Sequence, residues 1–404
     1  MTISITLAAE GGAPVRSDPV PGWPHFDAGD LAAVAGVVAS GRVNYWTGMH
    51  GRAFEEEYAQ RVGARHAVAV ANGTVALELA LRALGIGPGD EVVVPAATFI
   101  ATAAAVAARG AVPVVADVCP VRQGLTADTV RAVLTPRTRA VVVVHVGGWP
   151  ADIGPVVELA RRHGLRVVED CAQAHGATVD GRPVGTFGDV AAWSFCQDKI
   201  LTTLGEGGAV TTDDDDLFHS VWSAKDHGKD HGLAHRPDPE PGFRWLHTAF
   251  GTNARMTEVQ AVVGRRQLTK LDAWVARRRR NADLLRSALA DVPALDIPDV
   301  PGDVEPSWYR VYARVRLDDL RPGWDRTRVV QAVSAEGVPC SQGGCAEIYR
   351  EQAFVGIWRD GRRLPVASGL GRTSLALLVH PTLTDTDVAD TAAAVAKVMT
   401  AAAR

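Results

Sequence analysis

Seven short apolar runs recur between residues 66 and 212, separated by stretches with helical spacing. They are HAVAVANG (66–73), EVVVP (91–95), AVPVVADV (111–118), RAVVVVHVGG (139–148), LRVVEDCA (165–172), DVAAWSF (189–195) and GGAVTT (207–212). Several are valine-rich and do not alternate with polar residues. A strand with one wet face shows period-two alternation, so these runs read as strands covered on both faces. The segments between them, such as TVALELALRAL (74–84) and IGPVVELARRHG (153–164), carry helical spacing, and the second closes on a Gly stop signal. Strand–helix alternation of this kind predicts an α/β fold with a mostly parallel sheet covered by helices. At 404 residues the chain is too long for one small core. The pattern changes after about residue 225, where KDHGKDHGLAHRPDPEPG (225–242) reads as a long loop of a length that is often functional. The stretch 256–289 predicts a long helix broken near Leu271, and residues 290–404 predict a second α/β domain. The expected organisation is an N-terminal arm (1–25), a large domain (26–270) and a small C-terminal domain (271–404).

The bulk properties narrow the function classes. The formal net charge is −4, which gives no electrostatic case for nucleic acid or an anionic membrane. The basic run Arg277–Arg280 reads as a solvated helix face. No run approaches the roughly 20 apolar residues of a membrane span. The N-terminus, MTISITLAAEGG, lacks a basic region followed by an apolar core, so no secretory signal is expected. Five cysteines without paired metal spacing fit a reducing cytoplasm and no metal site. There are also only five lysines, Lys199, Lys225, Lys229, Lys270 and Lys397, so amine chemistry on a lysine has few candidates. Lys225 and Lys229 fall in the polar loop, and Lys270 and Lys397 on helices whose neighbours suggest exposed faces.

Three motifs carry chemistry. Asp170, in EDCAQ, sits at the carboxyl end of an apolar run, where ligands bind in open α/β sheets. A carboxylate there can pair with a protonated ring nitrogen, or it can cap the following segment. In SFCQDKILTTLGEGG (194–208) a lysine follows a strand and precedes a Gly-rich turn. A desolvated lysine becomes a nucleophile that forms Schiff bases, and Ser194 can bind a phosphate oxygen. In NGTV (72–75), between a strand and a helix, backbone N–H groups and the Thr74 hydroxyl form an anion site, or Thr74 caps the helix without a ligand.

These pieces, in this order and with Phe99 of PAATF between them, resemble the fold-type-I enzymes of pyridoxal 5′-phosphate (PLP). More narrowly, the chain resembles the sugar aminotransferase family called DegT/DnrJ/EryC1/StrS. The resemblance runs from NYWTGMHGRAFEEEYA (44–59) through GTNARMTEVQAVVGRRQL to LALLVHPTLT (375–384). It implies that Lys199 binds the cofactor and shuttles the proton, that Asp170 pairs with the pyridine nitrogen, and that Gln173 contacts the 3′ oxygen. Phe99 matches the aromatic stacked on the ring. Thr74, Val75 through its backbone, and Ser194 match the phosphate contacts. Asn253 matches an asparagine that reaches the phosphate from the partner subunit, which implies a homodimer with shared active sites. His175 lies in the family's A-H-G element without a clear role, and His380 in the final motif is a further substrate-side candidate.

The resemblance implies transamination from L-glutamate to a nucleotide-linked keto-sugar. Relatives that remove a sugar hydroxyl carry histidine in place of the lysine, so Lys199 argues against that chemistry. The full cofactor set argues against a non-catalytic regulator. A composition rich in Ala and Arg and poor in Lys matches high-G+C bacteria that make dTDP-deoxysugars, so a dTDP-4-keto-6-deoxyhexose aminated at C4 is the expected acceptor. A 3-keto sugar, a cyclitol ketone and an aminohydroxybenzoate precursor stay open as alternatives. Tyr45 and Trp46 could stack on the nucleotide and Arg52 could supply charge, or these residues belong to a subunit interface. The TTLGEGG linker departs from the family pattern harmlessly. GVPCSQGGCAEIYREQAF (337–354) replaces a Tyr- or His-rich segment that shapes the sugar pocket, which puts the substrate in doubt and not the chemistry.

Overall fold

The computed structural model describes residues 6–236, 243–358 and 361–404. Strands β1 (His66–Val70), β2 (Glu91–Pro95), β3 (Val112–Ala116), β4 (Thr138–Val144) and β5 (Arg166–Asp170) come first. The short strands β6 (Thr178–Val179) and β7 (Arg182–Pro183) follow, then β8 (Val190–Ser194) and β9 (Gly208–Thr212). Seven of these form one sheet in the order β1-β9-β8-β5-β4-β2-β3. All neighbours in it run parallel except at β9, which is antiparallel to both β8 and β1. The fold is therefore α/β with a mostly parallel central sheet, and the seven apolar runs are its seven strands.

The valine runs owe their lack of alternation to two separate cores. In β4, Val141 and Val143 enter one core while Ala140, Val142 and Val144 enter the other. The first core is closed by helices His50–Val62, Ile153–Arg162 and Glu258–Leu268, through Phe54, Val156 and Ala261. The second is closed by Gly73–Ala83, Ala101–Ala108 and Asp215–Lys225, through Leu77, Val106 and Trp222. A third core lies under the antiparallel sheet β10-β12-β14-β13, made of β10 (Leu295–Asp296), β12 (Val311–Val315), β13 (Cys340–Ser341) and β14 (Ser374–Leu377). Leu285, Val329 and Val395, from three helices, and Leu7 near the N-terminus fill it. The remaining strand, β11 (Val304–Glu305), joins β6 and β7 in a small sheet. Ile348, Phe354 and Leu364, although late in the chain, pack into the second core under the large sheet.

The break expected near Leu271 falls between the helices Glu258–Leu268 and Leu271–Leu289. Two expectations are corrected. The 225–242 segment is not all loop: Lys225 closes a helix, and His231–His235 forms another, while 237–242 lie outside the described residues. Nor is Arg277–Arg280 a solvated face. Each residue of an α-helix turns about 100°, so four in a row cannot share one side. Arg278 is 1% exposed, Arg277 donates to the Leu383 carbonyl at 2.7 Å, Arg279 to that of Pro306 at 3.1 Å, and Arg280 pairs with Asp385. Among the described residues no helix is long and apolar enough to cross a membrane.

Candidate active site

A cavity of about 620 Å³ opens at the carboxyl ends of β4, β5 and β8, where Val144, Asp170 and Ser194 line it. Parallel strands with helices on both faces place their free ends at one edge of the sheet, which is why residues distant in sequence meet there. Lys199, Phe99, Gln173, Thr74 and Val75 line the same cavity. The motifs singled out from the sequence thus converge on one place.

One wall is the start of the helix Gly73–Ala83. First-turn N–H groups have no acceptor within their own helix. The Asn72 side chain accepts the Val75 N–H at 2.9 Å, so Asn72 and not Thr74 is the cap. This corrects the expected backbone contact at Val75, whose N–H is already engaged; Gly73 and Thr74 hold the remaining first-turn donors. A Cβ on Gly73 would stand 2.6 Å from the Ser194 Cβ, and one on Gly208 would stand 2.4 Å from the Asn72 carbonyl oxygen. The two glycines let β8, β9 and the helix start close into a narrow cradle with Ser194 at its side.

Asp170 forms the floor and is 6% exposed. Its oxygens accept from the Thr102 hydroxyl at 2.9 Å and the Ala172 N–H at 3.2 Å. Burial pushes this carboxyl above the usual range, against those two hydrogen bonds and the charge of Lys199. No cation pairs with it among the described residues. Its neighbour on the strand, Glu169, faces away. Burial acts to raise Glu169 too, but the His145 ring and the N–H groups of Gly185 and Gly188 hold it below the usual range. The Ala151 N–H donates to His145 Nδ1, so Nε2 carries the proton and donates to Glu169 at 3.1 Å. The strand end carrying Asp170 is therefore braced from behind.

The Lys199 amine lies 5.0 Å from the centre of the Tyr309 ring and has no hydrogen-bond or carboxylate partner among the described residues. The other four lysines are all paired. Lys225, which is buried and not a loop residue, meets Glu55 at 3.0 Å, and Lys229 meets Asp226 at 3.1 Å. Lys270 meets Asp30 at 2.6 Å and Lys397 meets Glu336 at 2.7 Å. Gln173 is oriented by the Gly147 N–H, which donates to its Oε1 at 2.7 Å and leaves the amide NH₂ as a donor. Phe99 is 69% exposed at the cavity wall. His175 lies behind it, buried. Its Nε2 donates to the Ser194 carbonyl at 3.0 Å, so its Nδ1 accepts from the Tyr58 hydroxyl at 2.9 Å.

Other expected residues do not reach this cavity. Tyr45 is only 2% exposed and donates to Glu55 at 2.9 Å, so its ring is a core element and cannot stack on a nucleotide. Trp46 donates to Asp226 at 2.6 Å, and Arg52 donates to the Gly48 carbonyl at 2.8 Å. His380 is buried, bonded to Thr382 at 2.7 Å, and lines a separate cavity. Asn253 is exposed on a loop bridged to Asp226 and does not line the cavity of its own chain. Sequence reasoning in turn missed Thr102, Asp198 and Tyr309. The Tyr309 hydroxyl donates to Asp198, beside the lysine. Asp198 had a signal, its adjacency to Lys199; Tyr309 had none, since it arrives from beyond residue 300. Gly344, Cys345 and Ala346 of the divergent 337–354 segment also form part of the wall.

The model of the DegT/DnrJ/EryC1/StrS aminotransferase family matches residues 24–396. The chain is 40% identical over 342 residues to an L-glutamine:2-deoxy-scyllo-inosose aminotransferase of Streptomyces kanamyceticus, covering 82% of this chain and 79% of that one. It is 39% identical over 353 residues to the dTDP-3-amino-3,4,6-trideoxy-alpha-D-glucose transaminase of Streptomyces venezuelae, covering 87% of each. The crystal structure of an aminotransferase from Psychrobacter cryohalolentis superposes with a TM-score of 0.91 at 46% identity, over 93% of this chain and 98% of that one. The chain therefore belongs to the DegT/DnrJ/EryC1/StrS aminotransferase family and is a sugar or cyclitol aminotransferase. The family is PLP-dependent.

Proposed function

We propose that the cavity holds PLP on Lys199 and that the chain moves an amino group from L-glutamate to a nucleotide-linked keto-sugar, a dTDP-4-keto-6-deoxyhexose aminated at C4. The observation that carries the cofactor assignment is the lysine inventory: four are tied to carboxylates, and the one without a partner faces the cavity. The donor set fits the group. Asp170 is a buried carboxylate that forms no ion pair among the described residues, and a protonated ring nitrogen is the partner it lacks. Gly73, Thr74 and Ser194 offer donors in a cradle that a single Cβ would fill, suited to a phosphate. The Gln173 amide suits a ring oxygen, and Phe99 a ring face. When bound, PLP supplies the electron sink for the reaction.

The protein's own residues supply orientation and proton traffic. Lys199 Nζ takes the proton from the donor's α-carbon and returns it at the next stage, as a general base and then acid. Asp170 would hold the ring nitrogen's proton in place, that pairing offsetting the burial that otherwise raises its carboxyl. Gln173, held by Gly147, fixes the plane of what it contacts. The Tyr309 hydroxyl, engaged by Asp198, sets the ring beside Lys199 and limits where the amine can swing.

The venezuelae relative acts on a dTDP-sugar, which supports the nucleotide, and its name places the amine at C3, which favours the 3-keto alternative. A second reading, amination of a cyclitol ketone from glutamine, is favoured by the kanamyceticus relative. The test is incubation of the PLP-loaded protein with either amino donor and dTDP-4-keto-6-deoxyglucose, its 3-keto isomer, or 2-deoxy-scyllo-inosose. Amination of the 4-keto sugar is expected. Turnover of the 3-keto sugar alone overturns C4, and turnover of the inosose alone overturns the nucleotide.

A further inference from the structure

A second cavity, of about 480 Å³, shares Asp198 and Tyr309 with the lysine cavity. Its charged lining consists of Arg278, Arg310 and Asp198. Arg278 comes from the helix Leu271–Leu289 and is 1% exposed. Its Nη1 donates weakly to the carbonyls of Trp308 at 3.3 Å and Tyr309 at 3.4 Å, while its Nε and Nη2 are buried without a partner among the described residues. Burying a donor without an acceptor is costly, and burying a cation without a counter-charge more so. Burial pushes the Arg278 guanidinium down to about 9, which leaves it charged at neutral pH. Besides those two weak bonds, the Trp23 ring softens that cost, 5.1 Å from the guanidinium carbon, and Trp23 in turn donates to the Lys199 carbonyl at 2.8 Å.

The charge balance identifies what is missing. Two guanidiniums face one carboxylate, and that carboxylate is already engaged by the Tyr309 hydroxyl and lies 3.8 Å from Arg310. His380, in the same lining, is pushed by burial down to about 4 and adds no charge at neutral pH. The cavity thus holds an excess of one positive charge. A single carboxylate balances it, whereas a phosphate dianion overshoots. A guanidinium with two free N–H groups also matches a carboxylate in shape.

We propose that this cavity binds a carboxylate of the amino donor, with Arg278 as its anchor and Arg310 as the second cation, so that the donor reaches Lys199 past Tyr309. This rests on the aminotransfer reading above. It gives the buried helix arginine a partner and explains why the cavity adjoins the lysine.

The probe is glutarate, which has the donor's carboxylates but no amine and cannot react. Titration calorimetry on the PLP-loaded wild type should show glutarate binding that inorganic phosphate does not displace. Arg310→Gln and Arg278→Gln should each weaken it by at least about tenfold, the loss of one charge-assisted contact. In Arg310→Gln the KM for glutamate should rise with little change in kcat. Should Arg278→Gln fail to fold, Arg310, whose side chain is 26% exposed, decides alone. Absence of glutarate binding to the wild type, unchanged affinity in a folded variant, or displacement by phosphate overturns the proposal. Bleaching of the bound cofactor's visible absorbance by glutamate is recorded separately. It tests the aminotransfer reading whether or not glutarate binds.

Discussion

Reduction of the PLP-loaded protein with borohydride should tag one peptide, the one carrying Lys199, because each of the other lysines is held by a carboxylate at 3.1 Å or less. A tag on any of those four removes the site assignment. Asp170→Asn should keep the cofactor but slow amino transfer by several powers of ten, since a charge-assisted bond worth roughly 1.5–3 kcal/mol and the electron sink go together. Near-normal turnover would make Asp170 a mere turn-former through Ala172. His175 gives a test by pH. Burial lowers it from 6.5 to about 3, so the folded state refuses a proton that the unfolded state accepts. Stability should therefore fall as pH drops below about 6.5, by up to roughly 1.4 kcal/mol per pH unit from this group. His175→Gln loses bonds at neutral pH, but its deficit in denaturant unfolding should shrink between pH 7.5 and pH 5; a constant deficit would contradict a neutral His175. At this scale Lys199, Asp170 and Ser194 are legible in the sequence because each stands at or just past the end of an apolar run. Thr102 and Tyr309 are not, because what gives them meaning is a partner across the fold.

Elements are legible where one requirement dominates. The valine runs become strands because both faces are dry, and neither face needs a polar residue. Arg277–Arg280 misleads because residue type suggests solvent while helical geometry forces one of four onto the core side. The antiparallel β9 carries no mark of its direction in its residues; direction is set by the short return from Lys199 through the glycine turn. The approach of the helix Gly73–Ala83 to β8 makes its own prediction. Gly73→Ala places a methyl 2.6 Å from the Ser194 Cβ, so either Ser194 or the helix start must move. The apparent dissociation constant for PLP should rise by about tenfold or more, as the donors of the cradle lose their aim. Gly154→Ala is the control. It lies in the helix Ile153–Arg162 with nothing within 4 Å of its Cβ, and should raise stability by about 0.5–1 kcal/mol through helix propensity without touching PLP affinity. Equal losses in both variants would mean that the cradle is not a binding element.

At the scale of the whole molecule, the sheet and its covering helices follow from periodicity, but the packing of Ile348, Phe354 and Leu364 under the large sheet does not, because local sequence says nothing of which core a late segment joins. Nor does the chain alone explain its surface near Asn253. Phe243, Trp245 and Phe250 are 71%, 76% and 95% exposed, on the same stretch of chain that carries Asn253. Exposed aromatics grouped in this way mark a surface that another body covers. A second copy of the chain is the proposed cover, with Asn253 completing the phosphate cradle of its partner. Under that arrangement a Lys199→Ala subunit and an Asn253→Ala subunit are broken at different sites. Each homodimer has two damaged sites. A mixed dimer has one site with both defects and one with neither, because the intact lysine of one subunit meets the intact asparagine of the other. Co-refolding the two variants in equal amounts makes about half of the dimers mixed by random pairing, each with one sound site, so activity should return to roughly a quarter of wild type. If Asn253 acted within its own chain, each mixed dimer would have one defect per site and no activity would return. Native mass spectrometry that confirms heterodimers without recovered turnover would therefore rule out the shared site.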